Sequence, residues 1–261
     1  MRQPAIPEDA LRHGFVATPI GTHTSKTMML AELSRLLAAS APEADHVALR
    51  RLVVDDNVTL KATVVTRKDT FSRLAQLYAL RRKKVVFRAL RDLWAASADE
   101  QPVLAVLCAL ARDPLLRATA PVVLGAAGGE AVTPQMLEVA MEVVYPRRYS
   151  PIVRNRIGQN TISSWRQSGH LVGYRTKTRV RVYPGPAATA YALLLGYLCG
   201  ERGVALLDTF WARALDSTPT ALDALAFSAH QRGWLNYRRI GSVAEIDFPF
   251  LLRSESDHGN R

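Results

Sequence analysis

The chain has 261 residues, 48% of them apolar, enough for one large core or two smaller ones, and two small domains are the expectation. Its apolar runs, residues 187–199 and a 102–125 stretch broken by Arg112, Asp113 and Arg117, do not supply the roughly 18 unbroken residues of a membrane span, so no membrane partner is expected. Cys108 and Cys199 lie in apolar contexts without C-x-x-C spacing and read as reduced core thiols of a cytoplasmic protein, a disulfide being the lesser alternative.

Residues 1–24 contain Pro4, Pro7, Gly14 and Pro19 without periodicity, which predicts a flexible arm and, lacking an apolar stretch, no secretory signal. From Ser25 onward Met28, Met29, Leu33, Leu36 and Leu37 recur at helical spacing. A short helix is expected over 46–54, followed by the turn Asp55-Asp56-Asn57 and a β-branched segment, 58–65, that fits neither class. Thr66 to Asp69 has the form of a capping box opening a helix with Phe71, Leu74, Leu77 and Tyr78 on one stripe. Further helices are predicted over 85–96, 101–111 and 114–124.

The glycine-rich Gly125 to Gly129 marks the expected domain boundary, separating an N-terminal helical domain (25–127) from a C-terminal one (131–252). Thr133-Pro134 and Ser150-Pro151 each pair an N-cap with proline at the first helical position. Residues 151–157, the Gly158-Gln159-Asn160 step, and 161–168 before Gly169 read as helix, turn, helix and stop. Helices over 187–199, 204–215 and 219–233 follow, then a hairpin turning at Gly241-Ser242 and a disordered tail, 253–261. The fold class is therefore mainly α, two helical parts with helix-turn-helix or winged-helix elements and short β-hairpin wings.

The net charge of +11 is concentrated. Residues 61–91 hold ten Lys or Arg against Asp69 alone, and residues 143–200 hold nine with no acid; removing both segments leaves −7 for the rest. Two basic patches on an otherwise acidic chain point to a polyanionic partner at defined surfaces. Between Tyr174 and Val182, Arg175, Lys177, Arg179 and Arg181 alternate with uncharged residues, so an extended backbone would make one face wholly cationic. Phosphate contacts are assigned to Arg154, Arg156, Arg175, Lys177, Arg179 and Arg181, and in the first patch to Lys61, Arg67 and Lys68. Base-edge contacts, if made, fall to Asn160, Ser163, Ser164, Arg166 and Gln167, with Ile162, Trp165 and Leu171 as core anchors; a stacking platform is the alternative for Trp165.

No phosphate loop, nucleophile elbow or zinc-protease motif occurs, the histidines are scattered, and the most basic region has no carboxylate to hold a metal. The reading is a non-enzymatic binder of double-stranded DNA without cofactor or metal. Two rivals stay open: a scaffold docking an acidic partner subunit, and a nuclease with a dispersed site.

Leu49 to Asn57, Leu60-Lys61-Ala62-Thr63, Thr66-Arg67 and Leu74-x-x-Leu77-Tyr78-x-Leu80, and later Asn160-x-x-Ser163-Ser164-Trp165-x-x-Ser168-Gly169-x-Leu171, resemble the A-component (BrxA) accessory proteins of bacteriophage-exclusion (BREX) systems over roughly residues 25–250. The chain departs from that pattern in its long N-terminal arm and its Ala- and Arg-rich composition. The resemblance implies a small, mostly helical DNA-binding protein that accompanies other phage-defence subunits, and it brings no catalytic residues.

Overall fold

The computed structural model describes residues 3–19 and 21–253, and it is mainly helical. The described residues of the N-terminal segment are packed, contrary to the flexible arm expected over 1–24. Helix α1 (Glu8–Arg12) buries Ala10, Phe15 meets Trp211 edge-on with centroids 5.5 Å apart, and the Val16 N–H donates to Ala111 O at 3.1 Å. A few anchors and main-chain bonds hold it, so no periodic apolar pattern announces it.

Helix α2 (Leu30–Ala39) buries Leu33, Leu36 and Leu37. It starts later than Ser25 because Met29 takes a left-handed conformation, φ 55°. Asp45 caps α3 (His46–Val54), its carboxylate accepting from the Ala48 N–H at 2.8 Å. Residues 58–63 form no strand, and α4 (Val64–Tyr78) is capped by Thr63 in place of Thr66, through the Thr66 N–H at 3.2 Å. After α5 (Val85–Trp94) come α6 (Gln101–Arg112) and α7 (Pro114–Gly125), the latter capped by Asp113.

Strand β1 (Ala131–Val132), helices α8 (Pro134–Val144) and α9 (Pro151–Gln167), and strands β2 (Leu171–Val172) and β3 (Lys177–Arg179) form one unit. Its antiparallel sheet has the order β1-β3-β2, with Val132 opposite Lys177 and Val172 opposite Thr178. Helix α10 (Pro186–Leu198) follows. The helix expected over 204–215 is a 3-10 turn (Gly203–Asp208) and a short α11 (Phe210–Arg213), separated at Thr209, which caps α11 through the Ala212 N–H at 3.1 Å. Helix α12 (Pro219–Gln231), the hairpin β4 (Asn236–Ile240) and β5 (Val243–Asp247), and α13 (Pro249–Leu252) complete the order.

Helices α6 and α10 are apolar almost all round, so each needs neighbours on every side. They find them across the expected boundary: α10 packs on α5 and α6, and Leu90, Leu104, Ala187 and Leu194 belong to one buried cluster. The glycine-rich segment is an exposed turn within a continuous core, so 25–127 and 131–252 divide the chain but not its packing. Arg112 and Arg117, which interrupt the apolar stretch in the sequence, donate to main-chain carbonyls of Gly14, Ala75 and Gln76, and of Val16, Leu110 and Ala111. Arg253 pairs with Asp92 at 2.8 Å; the rest of the expected tail, 254–261, lies outside the described residues. Among the described residues no helix is long and apolar enough to cross a membrane.

Candidate nucleic-acid interface

The unit from β1 to β3 carries most of the acid-free segment. Thr133 and Ser150 cap α8 and α9 through the N–H groups of Met136 and Val153, each with proline at the first helical position. The turn expected at Gly158-Gln159-Asn160 does not exist; α9 is one continuous helix of 17 residues. A side chain at Gly158 would put its Cβ 2.7 Å from Pro134 O and 2.8 Å from Glu138 Cγ. The glycine therefore admits α8 close against α9, and the helix pair is α8 and α9, joined by residues 145–150. Leu137, Ile162, Trp165 and Leu171 are buried in the main core, and the Trp165 indole N–H donates to Thr119 Oγ1 at 2.8 Å, so Trp165 is an anchor and not a stacking platform.

At about 100° per residue, Ile152, Asn155, Arg156, Gln159, Ser163 and Arg166 fall within one outward sector of α9, and all are exposed except half-buried Ser163. Of the residues expected at base edges, Ser163 and Arg166 are on this stripe. Asn160, Ser164 and Gln167 are on the adjoining face at i, i+4 and i+7, where they bind the N-terminal segment. Asn160 Nδ2 donates to His23 O (2.9 Å), Ser164 Oγ accepts from the Met28 N–H (2.8 Å), and Gln167 Oε1 accepts from the Leu30 N–H (3.0 Å). These three are clasp residues and are removed from the base-contact set.

Behind the clasp, Ser164 Oγ lies 2.9 Å from His23 Nε2, and His23 Nδ1 lies 2.6 Å from Asp113 Oδ2. The connectivity is that of a hydrolase triad, but all three side chains are fully buried, and the Ser164 hydroxyl is also bonded to Asn160 O at 2.9 Å. Burial works against the Asp113 carboxylate; the facing His23 and the hydrogen bonds it receives outweigh that and hold its pKa below the usual value. The cluster joins α7, α9 and residues 22–28. Among the described residues no group of three or more His, Cys, Asp or Glu is placed to hold a metal ion.

The chain turns between β2 and β3 at residues 173–176, where Gly173 has φ +100° and a Cβ would lie 2.1 Å from Thr176 O. Tyr174 and Arg175 project from this tip, and Lys177 follows, its Nζ bonded to Tyr174 O. The expected all-cationic face ends there. Arg179 is 4% exposed and pairs with Asp216 at 8%, while its guanidinium also donates to the carbonyls of His170 and Val180. Asp216 Oδ2 accepts from the Val182 N–H (3.1 Å), and Arg181 donates to Asp216 O (2.7 Å). Alternation gave the two faces of the strand but not which one the core would claim. Beside the pair, His170 donates from Nε2 to Ala214 O (2.9 Å) and lies 2.8 Å from Ser168 Oγ; burial pushes its pKa down to about 4.

Arg154 also leaves the contact set, paired with Glu142 at 2.9 Å. In the first patch Lys61 pairs with Glu32 at 2.6 Å, and Arg67 donates to Lys61 O and Val54 O, closing the end of α3. Lys68 remains exposed. Seven cations of the acid-free segment have no ion pair among the described residues: Arg147, Arg148, Arg156, Arg166, Arg175 and Lys177 on the β1-to-β3 unit, and Arg181 just past β3, which donates to Asp216 O. Arg147 and Arg148 lie in the acid-free segment but are not among the residues assigned to phosphate from the sequence. Compared with protein-family models and with curated proteins, the chain matches none.

Proposed function

We propose that the chain binds double-stranded DNA as a winged helix, with α9 in the major groove and the β2–β3 tip on the flanking backbone. The observation that supports this is the set of six cations without ion pairs on one helix-and-hairpin unit, β1-α8-α9-β2-β3 with sheet order β1-β3-β2, in which a helix pair is followed by a basic hairpin. Phosphate contacts fall to Arg147, Arg148, Arg156, Arg175 and Lys177, and base-edge contacts to Gln159, Ser163 and Arg166. The resemblance to the BREX A-component proteins extends the proposal to an accessory role beside other phage-defence subunits.

A second reading has its own support. Val139, Val143 and Ile152 are exposed next to the cations, at 64, 77 and 70%, a mixture suited to an acidic protein partner with an apolar centre. A salt titration separates the readings. If four to six phosphates are neutralised, log affinity for a short duplex falls against log salt with a slope of roughly −4 to −5. No measurable affinity for duplex DNA at low salt favours the protein partner.

A further inference from the structure

Away from α9, the faces of α3 and α4 open a cleft of about 670 Å³. His46, Arg50 and Val54 line it at i, i+4 and i+8 from α3, and Lys68, Phe71, Ala75 and Ala79 do so from α4 and its end. Arg81, Lys84 and Arg112 close it. Five Lys or Arg side chains thus surround one concavity, and no carboxylate lines it. Asp69, the one acid of the basic segment 61–91, faces elsewhere, paired with Lys26 (3.2 Å) and Arg73 (3.3 Å).

The five cations are not equivalent. Arg112 is fixed by three main-chain carbonyls and Lys84 by Arg12 O, so these two form a preset wall. The side chains of Arg50, Lys68 and Arg81 make no hydrogen bond or ion pair among the described residues. Three like charges held without a counter-ion repel one another and are relieved by an anion. Each phosphate monoester carries about −1.5 to −2 charges, so three free cations match up to about two phosphates. The floor is different in kind: Val54, Ala75, Ala79 and Phe71, whose ring centroid lies 5.1 Å from that of His46. An apolar floor under a cationic rim, in a volume within the roughly 300–1,000 Å³ of small-molecule sites, suits a small ester more than the convex ridge of a duplex.

The geometry points to a binding site for a nucleoside di- or triphosphate in this cleft, with Arg50, Lys68 and Arg81 on the phosphates and the base over Phe71 and Ala75. The site is separate from the proposed α9 interface, and its test does not depend on that interface.

Calorimetric titration of the full chain with pyrophosphate and with ATP, each against sodium chloride of matched ionic strength, tests it. Both anions bind, and ATP binds more tightly because the floor takes the base; equal affinities would overturn the nucleoside assignment. Arg50→Ala and Arg81→Ala each weaken binding by about tenfold or more, while Lys83→Ala, exposed and outside the cleft, leaves it unchanged. All three positions are exposed, so the variants fold. The proposal is overturned if matched sodium chloride reproduces the heat, if Lys83→Ala is as damaging as Arg81→Ala, or if Arg50→Ala and Arg81→Ala leave ATP binding intact. It is equally overturned if neither anion binds; a loss of duplex affinity in the two variants would then make the cleft part of a DNA surface.

Discussion

Removing Arg179 tests the division of the basic strand into a buried and an exposed half. Arg179→Ala deletes a guanidinium that is 4% exposed, pairs with Asp216 and donates to the carbonyls of His170 and Val180. Asp216, 8% exposed in the intact pair, keeps the Val182 N–H but loses its counter-charge. Breaking one side of such a pair costs about 3–5 kcal/mol. At about 2–4 °C per kcal/mol for a chain of this size, the melting temperature falls by roughly 6–20 °C. Arg175→Ala, at the exposed hairpin tip, changes stability by no more than about 0.5 kcal/mol. Differential scanning calorimetry of both variants, with the double variant Arg179→Met/Asp216→Asn, gives the test. The double variant keeps an acceptor for Val182 and removes the stranded charge, so it recovers more than half of the loss. An Arg179→Ala melting temperature within about 2 °C of the parent refutes the burial argument.

Other consequences concern pH, packing and base reading. His170 has its pKa lowered by burial from 6.5 to about 4, so the unfolded chain binds the proton more readily; the stabilisation is complete above pH 6.5 and is lost as pH falls towards 4. The loss reaches ~3 kcal/mol in urea unfolding at the acid end, and His170→Gln, which does not titrate, flattens that window relative to the parent. Gly158→Ala, which in an open helix would gain up to about 1 kcal/mol, here destabilises by about 1–3 kcal/mol because its Cβ meets Pro134 O; an unchanged or raised melting temperature contradicts the close α8–α9 contact. Arg166→Ala lowers discrimination between duplexes selected from a random pool and unselected ones by about 1–3 kcal/mol, and an equal loss on every fragment makes α9 a backbone clamp.

Much of the helical order was legible because it rests on local signals. The apolar residues of 46–54 gave the bounds of α3, and Thr133-Pro134 and Ser150-Pro151 gave the starts of α8 and α9. Other features depend on partners distant in sequence. A glycine that ends a helix and one that lets another helix approach look alike in one dimension, so Gly158 read as a turn. The basic residues of 61–91 read as a surface patch because several of their partners are main-chain carbonyls, which carry no sequence identity: Arg67 on Val54, Arg82 on Pro42, Arg91 on Leu37 and Ser40. Asn160, Ser164 and Gln167 looked like base readers because amides and hydroxyls serve either purpose, and only the docked segment 22–30 shows which. Likewise Arg179 was separable from Arg175 only through Asp216, 37 residues away.

The central claim, that duplex DNA is gripped by α9 and the β2–β3 tip, is tested most directly by moving the same charge at and away from that surface. Arg156→Glu/Arg175→Glu and Lys83→Glu/Arg238→Glu change net charge equally, and all four side chains are exposed and without ion pairs among the described residues. Fluorescence anisotropy on a labelled duplex at fixed salt is predicted to show a loss of about a hundredfold or more for the first double variant. The second is predicted to lose no more than a few-fold, the share owed to long-range steering. Equal losses in the two variants, or undiminished binding by Arg156→Glu/Arg175→Glu, would contradict the claim.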